Sequence, residues 1–217
     1  MVILCDLSEV LIYGFLKTKD IFSQRYLRAN AECYWSRHGK MEDKLKELFR
    51  GKISEDEYWK EFKSDQYFLS GISPDEYKDI LGKSMNHTVP GTYKVLKALR
   101  DNPENRITGM YIVSDHIKER IGFIRETYPE IRELFDRFFW SCDLGMIKQD
   151  DGFFKKVIEQ IKVDPDNIIY IDDMQANLDA AKNAGITKLI KFENADDLKK
   201  ILINHYCFAF KDAVVPT

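Results

Sequence analysis

Apolar residues along this chain fall into two kinds of pattern. Some runs are short and strand-like, unbroken in Val2-Ile3-Leu4-Cys5 and Ile168-Ile169-Tyr170-Ile171 and largely apolar in Ile107 to Val113, Phe135 to Trp140 and Lys188 to Phe192. Runs of this length with no polar alternation predict strands buried on both faces. Other segments repeat apolar residues every three or four positions. They predict helices from Pro90-Gly91 to about Leu99, then up to about Glu126, over Phe153 to Ile161, over Leu178 to Ala184, and from Phe192 to about Asn204. Gly185 stands just past the small-residue helix, where a left-handed C-cap residue is expected. Strands alternating with helices imply parallel crossovers and a sheet covered on both faces, an α/β fold.

Between about Thr18 and His87 the pattern changes. Charges and aromatics are dense and no strand-like run occurs. Ile21 to Trp35, Met41 to Phe49, Ser54 to Phe62 and Ser73 to Leu81 all have helical spacing. Ser54-Glu55-Asp56-Glu57 has the capping-box pattern, Ser73-Pro74 supplies a cap followed by proline at the first helical position, and Gly51 and Gly71 punctuate turns. The region reads as an all-helical insertion after the first strand.

The 217 residues, 44% of them apolar and 32% charged, suit a soluble protein with a real core. A net charge of -3 without any basic block argues against nucleic acid as a partner. No apolar run is long enough to span a bilayer, and Asp6 and Glu9 interrupt the N-terminal apolar stretch, so neither a membrane nor a secretory signal is expected. Four scattered cysteines with no C-x-x-C pair fit reduced thiols in the cytoplasm. The four histidines show no metal-ligand spacing, and Asn86-His87-Thr88 is read as a coincidental sequon.

Candidate chemistry sits where strands end. Ligands of open parallel sheets bind outside the strands' carboxyl ends. Asp6 ends the first strand, where an acid serves as nucleophile, as metal ligand or simply as a turn former. Ser114 ends the second strand and is either an anion-holding hydroxyl or a helix cap. Lys148 lies in a glycine-containing loop, Leu144 to Asp150, as a point charge for phosphate or as a solvated lysine. Asp172 and Asp173 follow the strand Ile168 to Ile171. A helix cap explains one such acid, but two adjacent carboxylates are costly without a neutralising cation, and hard oxygen ligands suit Mg²⁺.

In that order (Asp, Ser, Lys, Asp pair) the chain resembles the haloacid dehalogenase-like (HAD) hydrolase superfamily. The stretches Tyr128 to Asp136, Ser141 to Lys148 and Ile168 to Gly185 are similar to the branch holding small phosphatases and the phosphatase domain of some epoxide hydrolases. The resemblance implies a Rossmann-like parallel sheet with helices on both faces, formed by residues 1–14 and 89–205. Residues 15–88 would be an inserted all-helical cap and 206–217 a C-terminal tail. It also implies roles. Asp6 would be the nucleophile that forms an aspartyl-phosphate. Asp173 would bind Mg²⁺ directly, with Asp172 beside it and the Ser8 backbone carbonyl able to reach the metal. Ser114, Asp115, Lys148 and Asn177 would hold a small phosphorylated metabolite. Two positions depart from the family pattern. Ser8 stands where most family phosphatases carry an Asp that acts as general acid and base, a loss that typically costs about 10²–10⁴-fold in rate. Gln149 stands where the family usually has Pro after the Lys.

A Mg²⁺-dependent phosphatase is therefore the expected function. The alternatives are a low-activity or non-catalytic binding protein of the same fold and, further off, a metal-free 2-haloacid dehalogenase. A dinucleotide-binding protein is disfavoured because no G-x-G-x-x-G follows the first strand and no P-loop occurs.

Overall fold

The computed structural model describes residues 1–14, 39–62, 79 and 87–210. Five strands form one parallel sheet in the order β3-β2-β1-β4-β5: β1 (Val2–Cys5), β2 (Gly109–Ser114), β3 (Arg137–Trp140), β4 (Ile168–Asp172) and β5 (Lys188–Lys191). The first strand of the sequence is thus the middle strand of the sheet. Val2 pairs with Gly109 on one side and with Ile168 on the other. This register sets the ends of β1, β2 and β4 side by side.

The unbroken apolar runs have the cause expected of them, because both faces of the sheet are covered. On one face Ile3, Cys5, Met110, Ile112, Ile169 and Ile171 pack against helices α3 (Thr92–Asp101), α4 (Lys118–Thr127), α5 (Pro129–Leu134) and α9 (Ala195–Tyr206). On the other, Val2, Leu4, Val113, Ile168 and Tyr170 pack against α7 (Phe153–Ile161) and α8 (Gln175–Asn183). Alternate residues of each strand serve opposite faces.

Element edges shift where local hydrogen bonding overrides periodicity. The α8 helix begins at Gln175 rather than near Leu178, because the Asp172 carboxylate accepts the Met174 N–H just ahead of it. The α4 and α5 helices are two elements, divided at Tyr128-Pro129, where proline starts the second. The α9 helix runs two residues past Asn204, and the residues after it are held. Phe208 is buried, and the Ala209 N–H and C=O both bond to the Asn105 side chain.

Two helices are described between β1 and α3: α1 (Gly39–Phe49) and α2 (Glu55–Phe62). The capping box forms as spaced, with the Glu57 carboxylate accepting the Ser54 N–H at 2.8 Å and the Ser54 hydroxyl accepting the Glu57 N–H at 3.2 Å. The expected helices over Ile21 to Trp35 and Ser73 to Leu81 lie outside the described residues, Asp79 apart. The chain leaves for this insertion and returns from it side by side, since Tyr13 N–H donates to the His87 carbonyl and Val89 N–H to the Leu11 carbonyl. A short α6 (Ser141–Leu144) follows β3. Among the described residues no helix is long and apolar enough to cross a membrane.

Candidate active site

The β1 strand delivers Asp6 to the carboxyl edge of the sheet. Its N–H still donates to the Ile171 carbonyl at 2.9 Å, as though continuing the pairing, and its Oδ1 accepts the following Leu7 N–H at 2.7 Å. The chain then coils tightly. Leu11 and Ile12 N–H both donate to the Leu7 carbonyl, and Glu9 adopts a left-handed φ of 62°. Ser8 lies in this coil, half-buried, with its side chain against Gly14.

Lys148 reaches the same point from the loop after α6. Its ammonium is 2.8 Å from Asp6 Oδ1 and 2.8 Å from Asp172 Oδ2, with all three side chains nearly sealed from solvent. Its own N–H donates to Asp115 Oδ1 at 3.0 Å, which joins the β2 exit loop to the Lys148 loop. Asp172 is saturated with donors. Besides Lys148 it accepts the Met174 N–H, the Asn177 amide at 3.1 and 3.2 Å, and the Tyr170 hydroxyl. Asn177 is in turn touched by Gln149, whose amide donates to it at 3.2 Å. Ser114 is fully buried at the end of β2, and its Oγ has no hydrogen-bond partner among the described residues.

Asp6, Asp172 and Asp173 can each place a carboxylate oxygen within 4.8 Å of the other two. The expected residues Asp6, Lys148, Asp172 and Asp173 therefore converge. Asn177 joins them through Asp172, and Asp115 through the Lys148 backbone. Among the described residues the hydrogen bonds of the cluster do not include Ser8. Tyr170 is the member that apolar-run reading misses. Its signal was present, because residues two apart on a strand share a face, so a Tyr two before an Asp points its hydroxyl the same way.

The charges are crowded. Burial pushes Asp6 up to about 8, against the pull of Lys148 and with help from Asp172. Burial raises Asp115 to about 6, and burial with Asp172 raises Asp173 to about 6. Burial would lower the Lys148 ammonium, but attraction to Asp172, Asp6 and Asp115 outweighs it and leaves the group above its ordinary range. One ammonium thus faces three carboxylates in a dry site. Hard oxygen donors with surplus negative charge fit a divalent cation such as Mg²⁺, which takes one or two protein carboxylates and keeps several waters.

The site is thus a buried carboxylate at the end of β1, backed by a buried lysine and by an acid pair at the end of the neighbouring β4, on the carboxyl edge of a parallel α/β sheet. The family model described as haloacid dehalogenase-like hydrolase matches residues 1–185, and the chain belongs to that family. Among curated proteins it is similar to bifunctional epoxide hydrolase 2 of Rattus norvegicus, 29% identical over 72 residues, 33% of this chain and 13% of that protein. It is also similar to enolase-phosphatase E1 of Caenorhabditis elegans, 28% identical over 128 residues, 58% of this chain and 49% of that protein. The match thus spans half or less of these relatives' length. Among solved structures, a HAD family enzyme of Bacteroides thetaiotaomicron in complex with magnesium and inorganic phosphate superposes with a TM-score of 0.62, at 19% identity, over 92% of this chain and 98% of that one. A predicted HAD-like hydrolase of Porphyromonas gingivalis superposes with a TM-score of 0.69 at 20% identity, over 94% and 97% of the two chains.

Proposed function

We propose that this hydrolase is a Mg²⁺-dependent phosphatase of a small phosphorylated metabolite, working in the cytoplasm. The observation that carries the reading is the buried Lys148 ammonium shared between Asp6 and Asp172, with Asp173 beside them. Asp6 attacks phosphorus and takes up the phosphoryl group as an acyl phosphate while the P–O bond to the alcohol breaks and the departing alkoxide takes a proton from water. Water then cleaves that mixed anhydride, releasing inorganic phosphate and restoring the Asp6 carboxylate, so one hard step becomes two easier ones. The Asp172 oxygens are already engaged by protein donors, which leaves Asp6 and Asp173 to hold the metal, with the Ser8 carbonyl. When bound, Mg²⁺ neutralises charge on the transferring group and screens Asp6 from an anionic substrate. Lys148 and the Ser114 hydroxyl, which has no hydrogen-bond partner among the described residues, hold phosphoryl oxygens, and Asp115 and Asn177 keep their loops in place. The helical insertion serves as a cap that excludes water and selects the substrate. Relatives with phosphatase names support the reading, as does the neighbour bound to magnesium and phosphate.

Ser8 favours a second reading, a protein of this fold that binds a phosphorylated ligand and turns it over slowly. Hydrolysis of a panel of phosphate esters, with Mg²⁺ and with chelator, separates the two. Turnover that needs Mg²⁺ and falls at least about 10³-fold in Asp6→Asn is the expected result. An activity indifferent to Asp6→Asn overturns the phosphatase. Binding of phosphate with Mg²⁺ but no turnover selects the second reading.

A further inference from the structure

Residues of the insertion touch the loops of the site. Arg50, at the end of α1, lies against the loop that carries Lys148. Its Nε donates to Asp150 Oδ2 at 2.7 Å, and its Nη2 pairs with Asp150 Oδ1. Only 22% of the Arg50 side chain and 24% of the Asp150 side chain are exposed, so the fork is partly shielded from water. The same Asp150 Oδ2 accepts the Ile147 N–H at 2.9 Å, and the Asp150 N–H returns a bond to the Ile147 carbonyl at 2.9 Å. Lys148 is the next residue, inside this closed turn.

Arg50 is itself held in place. The Ser141 hydroxyl donates to the Phe49 carbonyl at 2.6 Å and accepts the His116 N–H at 2.9 Å. Gly51, at a φ of +67°, sits so close to the Cys142 carbonyl that a Cβ there would approach it to 2.9 Å. Residues 49–51 therefore touch the loop around Lys148 directly and the start of α6, whose Ser141 in turn holds His116 in the loop after Ser114. From this we infer that Arg50 is a positioning residue. It sets the Lys148 ammonium against Asp6 by clamping the 147–150 turn through Asp150. The inference rests on the phosphatase reading for its catalytic consequence, and on geometry alone for the clamp.

A bidentate guanidinium specifies orientation where a lysine supplies only charge. Misplacing a catalytic group by a fraction of its hydrogen-bond length is enough to slow a reaction severely. The test uses the full chain and two readouts. In Arg50→Ala, the Ile147, Lys148 and Asp150 amides are expected to exchange with solvent at least about tenfold faster, and kcat/KM on p-nitrophenyl phosphate to fall between about 10- and 10²-fold. Arg50→Lys restores part of both. Arg50→Ala combined with Asp150→Ala is no slower than Asp150→Ala alone, because the two residues act as one unit. Lys97→Ala, which removes an exposed ion pair on α3, changes neither readout. Unchanged exchange at residues 147–150 in Arg50→Ala overturns the clamp. A full loss of activity in Arg50→Ala with exchange unchanged also overturns it, since Arg50 would then be acting elsewhere. A wild type that hydrolyses no phosphate ester overturns the phosphatase reading instead, and the exchange readout still decides whether Arg50 holds the loop.

Discussion

Ser8 is where this site departs most from a working general acid. A serine hydroxyl does not ionise near neutral pH and so cannot serve as a general acid and base as a carboxyl does, and Ser8 packs against Gly14 in the tight coil after Asp6. If position 8 faces the leaving group, Ser8→Asp should raise kcat by about 10²-fold or more, measured on a poor leaving group where protonation matters. A rate that is unchanged on poor and good leaving groups alike would place the proton donor elsewhere. At this scale the sequence was informative wherever a residue's chemistry was conspicuous, as with the Asp172-Asp173 pair. It was silent where the decisive partner was distant. Nothing in the spacing of Arg50 and Asp150, a hundred positions apart, announces a pair, and Ser141 joins His116 to Phe49 only because three separate elements meet.

Among elements, the buried strands were the most legible, because parallel strands covered on both faces must be apolar throughout and leave an unbroken run in the sequence. Helix limits were less so. The α4 helix ends where its spacing indicates, but the short α5 that Pro129 starts and the early start of α8 under Asp172 leave no periodic signal. The turn after α3 leaves none either. The buried Asn105 amide donates to the Leu99 and Ala209 carbonyls at 3.0 and 2.9 Å, and its oxygen accepts the Ala209 N–H at 2.7 Å. It fastens the residues after α9 to the far end of α3. Asn105→Ala leaves those groups unpaired, and urea unfolding should show a loss of about 1–3 kcal/mol. A change within about 0.5 kcal/mol, the range of ordinary surface substitutions, would mean that the C-terminal stretch is held by packing alone.

For the whole molecule, two buried groups pull stability in opposite directions with pH. His116 is packed edge-on against Trp140, and burial with the nearby Arg120 lowers its ring from 6.5 to about 4. The unfolded chain binds that proton more readily, so stability is lost as pH falls from about 6.5 toward 4. A gap of 6.5 minus 4 corresponds to at most roughly 3 kcal/mol. Thermal midpoints should therefore fall through that window, and less steeply in His116→Phe. Asp6 has the reverse sign. Its folded value of about 8 lies above its ordinary 3.8, so stability is lost as pH rises through that interval. In chelator the midpoint should decline toward pH 8. Mg²⁺ at a hundredfold excess over its Kd should add about 2.7 kcal/mol by mass action and remove most of the decline. A midpoint indifferent to Mg²⁺ at pH 8 would argue against the metal.

The position of β1 has a consequence for how the protein is made. Among the described strands it is synthesised before the others and is the central one of the sheet, and both of its neighbours come much later, β2 from Gly109 and β4 from Ile168. Until Asp172 emerges, Val2 to Cys5 have one sheet partner at most. At 5–20 residues per second that wait lasts on the order of 10–30 s. An apolar segment with free backbone edges for that long is one to which nascent-chain chaperones bind. Slowing translation between residues 114 and 168 should lower the soluble yield, whereas slowing it after residue 172 should not.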